Sequence, residues 1–221
     1  NRNGLIVIEG EKGLGKTTLA KRIVFKLSVS PNHYPLFIQM TNSLKPSEFW
    51  KHLLIHFDLP VTENIYKNQK SFIQYLRNNR DDVFFDLVID DAEEMNDEMV
   101  ALIQGVDSIN HIGERVIQIF AFGTPKMPEL EYSPFKKYHL KPFDVESVQK
   151  MIEFRLFVSG YPQLFSHTAM ERIYALTQGN PLNIIKWCRK SLDSIIEKGK
   201  MFVDVKDIDE IMQVLGIPPI E

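Results

Sequence analysis

The sequence predicts an α/β fold with a parallel sheet, followed by a small all-helical domain. Apolar runs alternate with amphipathic helical patterns up to Phe143, a glycine-rich loop joins the first run to the first helix, and only helical patterns follow. A parallel strand is buried on both faces, so its residues form a continuous apolar run. We therefore expect an α/β core over residues 1–143 and a helical domain over residues 144–221.

Each predicted element has its own signal. The apolar, β-branched runs predict strands at Leu5–Glu9, Pro35–Met40, Val83–Ile89, Val116–Phe122 and Tyr138–Leu140. Helical spacing predicts core helices at Thr17–Leu27, Pro46–Phe57, Ser71–Arg77 and Asp97–Ile109. In the second domain, capping residues and terminal glycines predict four helices, which begin near Asp144, Ser166, Asn180 and Asp204.

Composition limits the setting of the chain. The formal net charge of −3 over 221 residues gives no sign of a general nucleic-acid binder. Cys188 is the single cysteine, which excludes an internal disulfide and favours a reducing, cytoplasmic location. No apolar run approaches the length of about 18 residues that a membrane span needs. Because the chain enters a strand almost at its first residue, we expect further chain beyond one or both ends.

The glycine-rich loop carries the strongest chemical signal. Its residues are Gly10, Glu11, Lys12, Gly13, Leu14, Gly15, Lys16 and Thr17, the pattern of a P-loop. Such a loop wraps its N–H groups around phosphates, and the following helix adds the positive end of its dipole. Lys16 is expected to neutralise the β- and γ-phosphates, Thr17 to ligate Mg²⁺, and Thr18 to lie at the nucleotide. The alternative is an ordinary glycine turn with a surface lysine.

A second signal lies at the end of the third predicted strand. Asp90 and Asp91 follow an apolar run, which is the Walker B pattern. Asp90 would hold Mg²⁺ and Asp91 would orient or deprotonate the attacking water. A pair of helix-capping aspartates is the alternative. We interpret Glu93 and Glu94 as surface charges.

The remaining candidates are less specific. Thr124 follows the fourth predicted strand and is a candidate sensor of the γ-phosphate, although a plain turn is the alternative. The histidines show no metal-ligand spacing. Lys136 and Lys137 form a small basic cluster with His139 and Lys141, which is either a solvated face or a contact to a neighbouring subunit's nucleotide or to nucleic acid.

These motifs, in this order, resemble the AAA+ superfamily of P-loop ATPases, and more narrowly the ExeA-like (general secretion pathway A type) and TniB-like ATPases. The narrower resemblance rests on four stretches: Asn42-Ser43-Leu44-Lys45-Pro46-Ser47-Glu48-Phe49, Asp90-Asp91-Ala92-Glu93-Glu94-Met95, Tyr138-His139-Leu140-Lys141-Pro142-Phe143 and Gly179-Asn180-Pro181-Leu182-Asn183-Ile184. It implies an AAA+ type core with a helical lid, and it implies ATP and Mg²⁺ as ligands. Pro181 would also lie at the nucleotide.

The chain departs from this family at three places. Leu182 stands where the family has a lid arginine, and Asp91 stands where it has glutamate. Only Lys136 and Lys137 stand near the usual position of an arginine finger, and lysine lacks the bidentate guanidinium fork. The departures concern hydrolysis and leave the nucleotide-binding loop intact.

The resemblance leaves three functions open. The first is an ATPase that couples nucleotide binding or hydrolysis to lid movement or assembly and acts on a protein partner in a secretion or cell-envelope system, as the cytoplasmic part of a membrane-anchored protein. The second is a DNA-acting ATPase of the transposition-regulator or helicase-loader type. The third is a nucleotide-binding interaction module with little hydrolysis. The guanine-reading Asn-Lys-x-Asp motif is absent from the sequence, which favours ATP over GTP.

Overall fold

The predicted parallel sheet is present. The structure is a computed structural model that describes residues 4–79, 84–109, 117–128 and 135–218. Within these ranges the strands are β1 (Leu5–Glu9), β2 (His33–Gln39), β3 (Phe84–Asp90), β4 (Ile117–Gly123) and β5 (Phe135–His139). They form one sheet in the order β2-β3-β4-β1-β5, and every neighbouring pair is parallel. This confirms the predicted α/β class.

Helices cover both faces of the sheet. They are α1 (Lys16–Ser28), α2 (Pro46–His56), α3 (Ile65–Asn78) and α4 (Asp97–Ser108), with a 3₁₀ turn at Ala92–Glu94. Leu87 and Ile89 of β3 pack in the apolar cluster that contains α2, α3 and α4. Val88, which lies between them, packs with Ala20 of α1 on the other face. Burial on both faces explains why β3 is continuously apolar in this stretch.

Helix α3 begins six residues before the predicted start at Ser71. The side chain of Asn64 accepts hydrogen bonds from the backbone N–H groups of Tyr66 and Lys67, at 3.0 and 3.1 Å. These bonds satisfy donors that have no partner within the helix. The helix therefore starts at the asparagine cap, ahead of the apolar stripe from which it was predicted.

The helices α5 (Val145–Val158), α6 (His167–Thr177), α7 (Pro181–Glu197) and α8 (Val205–Val214) pack around a separate apolar core. The chain divides into two compact units, one of Asn1–Lys12 and Lys16–Leu140 and one of Gly13–Gly15 and Lys141–Glu221. The assignment of residues 1–143 and 144–221 as nucleotide-binding core and lid stays a prediction, because compactness does not show what either unit does.

Candidate functional site

The glycine-rich loop has the backbone that a phosphate-binding loop needs. It connects β1 to α1, and both Gly13 and Gly15 have positive φ, at 91° and 94°. A side chain is strained in this region of backbone conformation. Glu11, Lys12 and Thr18 are exposed, whereas Leu14 is buried. The loop is fixed at its start, where the Gly10 N–H donates to the Gly123 carbonyl of β4 at 3.1 Å.

Lys16 folds back into this loop. Its side chain is only 8% exposed. The ammonium Nζ donates to the carbonyl oxygens of Gly10 at 2.7 Å and Glu11 at 3.2 Å. A buried ammonium needs anionic or carbonyl partners. The loop carbonyls therefore hold the cation within the glycine-rich loop.

The Asp90 carboxylate lies at the end of β3 and is fully buried. Neither of its oxygens has a hydrogen-bond partner among the described residues. Burial raises the pKa of Asp90, and the charge of Asp91 adds to this, whereas Thr17, the backbone of Asp91 and Lys16 favour the ionised form. Thr17 thus lies close to Asp90 without completing a hydrogen bond.

This arrangement fits a divalent cation. A buried carboxylate without partners is costly unless a cation or donor reaches it. Mg²⁺ is commonly held by one or two protein oxygens together with substrate phosphates. No group of three His, Cys, Asp or Glu side chains that could hold a metal ion occurs within the described residues. Asp90 and Thr17 supply the oxygens that would hold Mg²⁺ beside a nucleotide.

Asp91 is held differently. Its backbone is left-handed, with φ 54° and ψ 44°, and this turns the chain into the 3₁₀ turn Ala92–Glu94. Its Oδ2 accepts a hydrogen bond from Nε2 of Gln39, at the end of β2, at 2.9 Å. Gln39 is the register partner of Asp90. The carboxylate predicted to activate water is therefore already engaged by a side chain that the sequence analysis did not single out.

Thr124 follows β4, the strand that lies between β1 and β3 in the sheet. This order brings Thr124 to the same sheet edge as the glycine-rich loop and Asp91. Its backbone N–H donates to Oε2 of Glu93 at 3.0 Å. The interpretation of Glu93 as a surface charge is wrong, because its side chain is half-buried and holds β4. Glu94 is exposed.

The basic cluster on β5 is only partly a solvated face. Lys137 Nζ lies 2.5 Å from Oε1 of Glu9, and His139 Nδ1 lies 3.3 Å from Oε2 of the same carboxylate. Glu9 is buried and directly precedes the loop. Lys137 thus pairs with Glu9, and Lys136 is exposed; a contact of this cluster with a neighbouring subunit's nucleotide stays a prediction.

Within the second unit, α7 begins beside Gly13. Asn180 caps α7 by accepting from the N–H groups of Leu182 and Asn183, and Pro181 is the first helical residue. The Leu182 N–H also lies 3.2 Å from the Gly13 carbonyl oxygen. A Cβ at Gly13 would meet Asn180 Oδ1 at 2.6 Å. A glycine is therefore required here by space as well as by φ.

A family model described as an AAA domain matches residues 1–130. The chain belongs to the AAA-domain family. An AAA domain is a P-loop ATPase domain, and the solved structures with a similar fold are also P-loop ATPases. The predicted AAA+ resemblance is thereby confirmed.

Relatives of this AAA protein are distant. General secretion pathway protein A of Aeromonas hydrophila is 21% identical over 214 residues, which cover 89% of this chain and 38% of the relative. Among solved structures, Drosophila ORC bound to DNA has a TM-score of 0.74 at 12% identity and covers 98% of this chain and 56% of that one. The RuvB Holliday junction branch migration motor of Thermotoga maritima has a TM-score of 0.64 at 18% identity, with 98% and 63% covered. The chain thus spans between about two fifths and two thirds of each relative's length.

No helix in the described ranges combines the length and apolar character that crossing a membrane requires.

Proposed function

We propose that this AAA domain binds Mg-ATP, hydrolyses it slowly, and couples nucleotide state to lid movement or assembly on a protein partner. The observation that carries the proposal is the buried Asp90 carboxylate, which has no hydrogen-bond partner in the part of the chain that the structure describes and lies near Thr17 and Lys16. These are the groups that a P-loop site needs for Mg²⁺ and the β- and γ-phosphates.

Each proposed role follows from the contacts of the residue. Lys16 would exchange its two carbonyl partners for phosphate oxygens, and the N–H groups of the loop would hold the remaining charge. Mg²⁺ bound by Thr17 and Asp90 would neutralise charge that develops on the phosphates. Asp91 would accept the proton as water attacks the γ-phosphorus and the bond to the β–γ bridging oxygen breaks. Thr124 would contact the γ-phosphate.

Three features support slow turnover. Asp91 is one methylene shorter than glutamate and is bonded to Gln39. Leu182 offers no charge at the lid position where the resemblance to the ExeA-like family implies an arginine. Lys136 cannot form the planar, bidentate contact of an arginine finger. A nucleotide-binding interaction module with negligible hydrolysis is therefore the nearest alternative.

The first experiment is Mg-ATP hydrolysis as a function of protein concentration, with Lys16→Ala as the control. Specific activity that rises with concentration would support sites completed between subunits, and Lys136→Ala should then abolish the rise. Equal inactivity of wild type and Lys16→Ala would rule out the hydrolytic part. ATP binding that is equally weak in both proteins would rule out the nucleotide site.

Lid movement has its own readout. The two tryptophans lie in different units, with Trp50 buried in the first and Trp187 half-buried on α7. We expect Mg-ATP to change the tryptophan fluorescence of wild type. The change should be largely lost in Trp187→Phe. A change that survives Trp187→Phe would place the response in the first unit and contradict lid movement.

We propose that the protein partner belongs to a secretion or cell-envelope system. This part of the proposal rests on the similarity to General secretion pathway protein A. A DNA-acting ATPase is the second candidate, because the fold is also that of ORC bound to DNA and of the RuvB branch migration motor. The net charge of −3 disfavours it. An ATP-dependent and strongly salt-dependent mobility shift of duplex DNA would favour it instead.

A further inference from the structure

Glu93 links two parts of the candidate site that are far apart in the sequence. It lies two residues after Asp91 in the 3₁₀ turn, and its Oε2 accepts the backbone N–H of Thr124 at 3.0 Å. The left-handed backbone of Asp91 starts the turn that carries Glu93 towards β4. The carboxylate thereby joins the segment of the candidate water-activating residue to the segment of the candidate γ-phosphate contact.

The end of β4 is shaped to receive this carboxylate. A Cβ at Gly123 would lie 3.0 Å from Oε2 of Glu93 and 3.0 Å from the Sδ of Met127. Gly123 therefore leaves room for Glu93 on one side and Met127 on the other. The Met127 N–H donates to the Thr124 carbonyl at 3.0 Å and closes the turn. Both backbone polar groups of Thr124 are thus fixed, its N–H by Glu93 and its carbonyl by Met127.

We propose that Glu93 is a positioning residue that sets the place of Thr124 and so lets the site distinguish ATP from ADP. The inference rests on the proposed nucleotide site and adds to it a residue that touches no phosphate. A carboxylate makes a charge-assisted hydrogen bond to a backbone N–H, and such bonds are stronger than neutral ones. Losing this bond releases the Thr124 backbone while Lys16, Thr17 and Asp90 stay in place.

The test compares Glu93→Ala, Glu93→Gln and the control Glu94→Ala, which alters the exposed neighbour. The first readout is the ratio of the Kd values for Mg-ADP and for a non-hydrolysable Mg-ATP analogue. We expect Glu93→Ala to reduce this ratio about tenfold, with little change in the affinity for ADP. Glu93→Gln should retain it within about threefold, because the amide oxygen still accepts the N–H.

The second readout is hydrogen exchange of the Thr124 amide, which needs no nucleotide. Wild type, Glu93→Gln and Glu94→Ala should protect this amide, and Glu93→Ala should not. A double variant tests whether Glu93 acts through Thr124. In a Thr124→Ala background, Glu93→Ala should change the ratio of the two Kd values little further.

Failure of this inference can be told from failure of the proposed function. If wild type binds nucleotide no better than Lys16→Ala, the nucleotide site itself is wrong and this inference is overturned with it. If wild type discriminates and Glu93→Ala discriminates equally well while its Thr124 amide exchanges freely, the contact is only structural. If Glu93→Gln is as impaired as Glu93→Ala, the negative charge matters and positioning by a hydrogen bond is overturned.

Discussion

Two buried aspartates on β3 have opposite surroundings. Asp86 and Asp90 are four residues apart, so their side chains project from the same face of the sheet. Asp86 is 2% exposed, and its Oδ2 lies 2.6 Å from Nδ1 of His33 on β2. Asp90 is fully buried, and neither of its oxygens has a hydrogen-bond partner within the described ranges of the chain. One strand thus carries a satisfied carboxylate at its amino end and an unsatisfied one at its carboxyl end.

The difference separates structure from function. A buried polar group with a partner stabilises the fold, and one without a partner lowers stability unless a ligand supplies what is missing. The unsatisfied carboxylate lies at the carboxyl edge of a parallel sheet, where open α/β sheets bind their ligands. Asp86 can therefore be explained by the folded chain alone, whereas Asp90 cannot.

Asp90→Asn should have the largest effect. We expect Mg²⁺-dependent ATP turnover and affinity to fall about 10- to 100-fold, because the site loses the charge that would hold the cation. Without nucleotide, the free energy of unfolding should rise by about 1–3 kcal/mol, because an unpaired buried charge is removed. Urea unfolding followed through Trp50 in a Trp187→Phe background measures this. A loss of both stability and binding would mean that Asp90 already has a partner.

His33→Ala should shift stability in the opposite direction. It removes a partner of the buried Asp86, and we expect the free energy of unfolding to fall by about 1–3 kcal/mol. Mg-ATP affinity should stay within about twofold, because the pair lies at the other end of the strand. The same urea titration and a nucleotide-binding assay check both parts. A large loss of affinity with unchanged stability would contradict the assignment of Asp86 to stability and of Asp90 to ligand binding.

The pH dependence sharpens the contrast. Burial raises the pKa of Asp90 above the ordinary value of 3.8, so the folded protein holds this proton more tightly than the unfolded chain. Its contribution to the free energy of unfolding therefore decreases as pH rises above 3.8 and levels off beyond the folded-state pKa. The difference between wild type and Asp90→Asn should follow this decrease, by at most about 1.4 kcal/mol per pH unit.

Titrating groups that do not interact with Asp90 occur in both of these proteins and cancel in the difference. Bound Mg-ATP should remove the decrease, since a nearby cation favours the ionised carboxylate. A difference that does not vary with pH, measured without nucleotide, would show that Asp90 is ionised at no cost.

The sequence was sufficient for the strands, most helices and the place of the glycine-rich loop between β1 and α1, because each is encoded by neighbouring residues. The apolar run of β3 and the glycines at 13 and 15 are local signals. The pairs that define the site are not local. Gln39 with Asp91 and Glu93 with Thr124 are separated by 52 and 31 residues, and only the order and register of the strands bring them together. The same reason explains why Lys137 could not be assigned to Glu9 in advance.

The start of α3 is also encoded locally, because Asn64 is a capping residue that lies ahead of the apolar stripe of the helix. The functional roles of Lys16, Asp90, Asp91 and Thr124 stay predictions, since each depends on a ligand.

Gln39→Ala should have the smallest effect on turnover. It tests the role of Asp91, the residue that follows Asp90. Asp91 Oδ2 accepts the Gln39 amide at 2.9 Å, so one acceptor of the candidate base is occupied before water arrives. Freeing it should raise basal turnover by roughly two- to tenfold, the net contribution of one hydrogen bond. Stability should change little, because Gln39 is exposed. Gln39→Glu is the matched variant: it replaces the hydrogen-bond donor to Asp91 with a carboxylate of like charge, so the bond is lost and a repulsion takes its place. If Gln39→Ala lowers turnover instead, Gln39 orients Asp91 for catalysis. The hydrogen bond between Gln39 and Asp91 would then serve function, as we propose for the cation that pairs with Asp90.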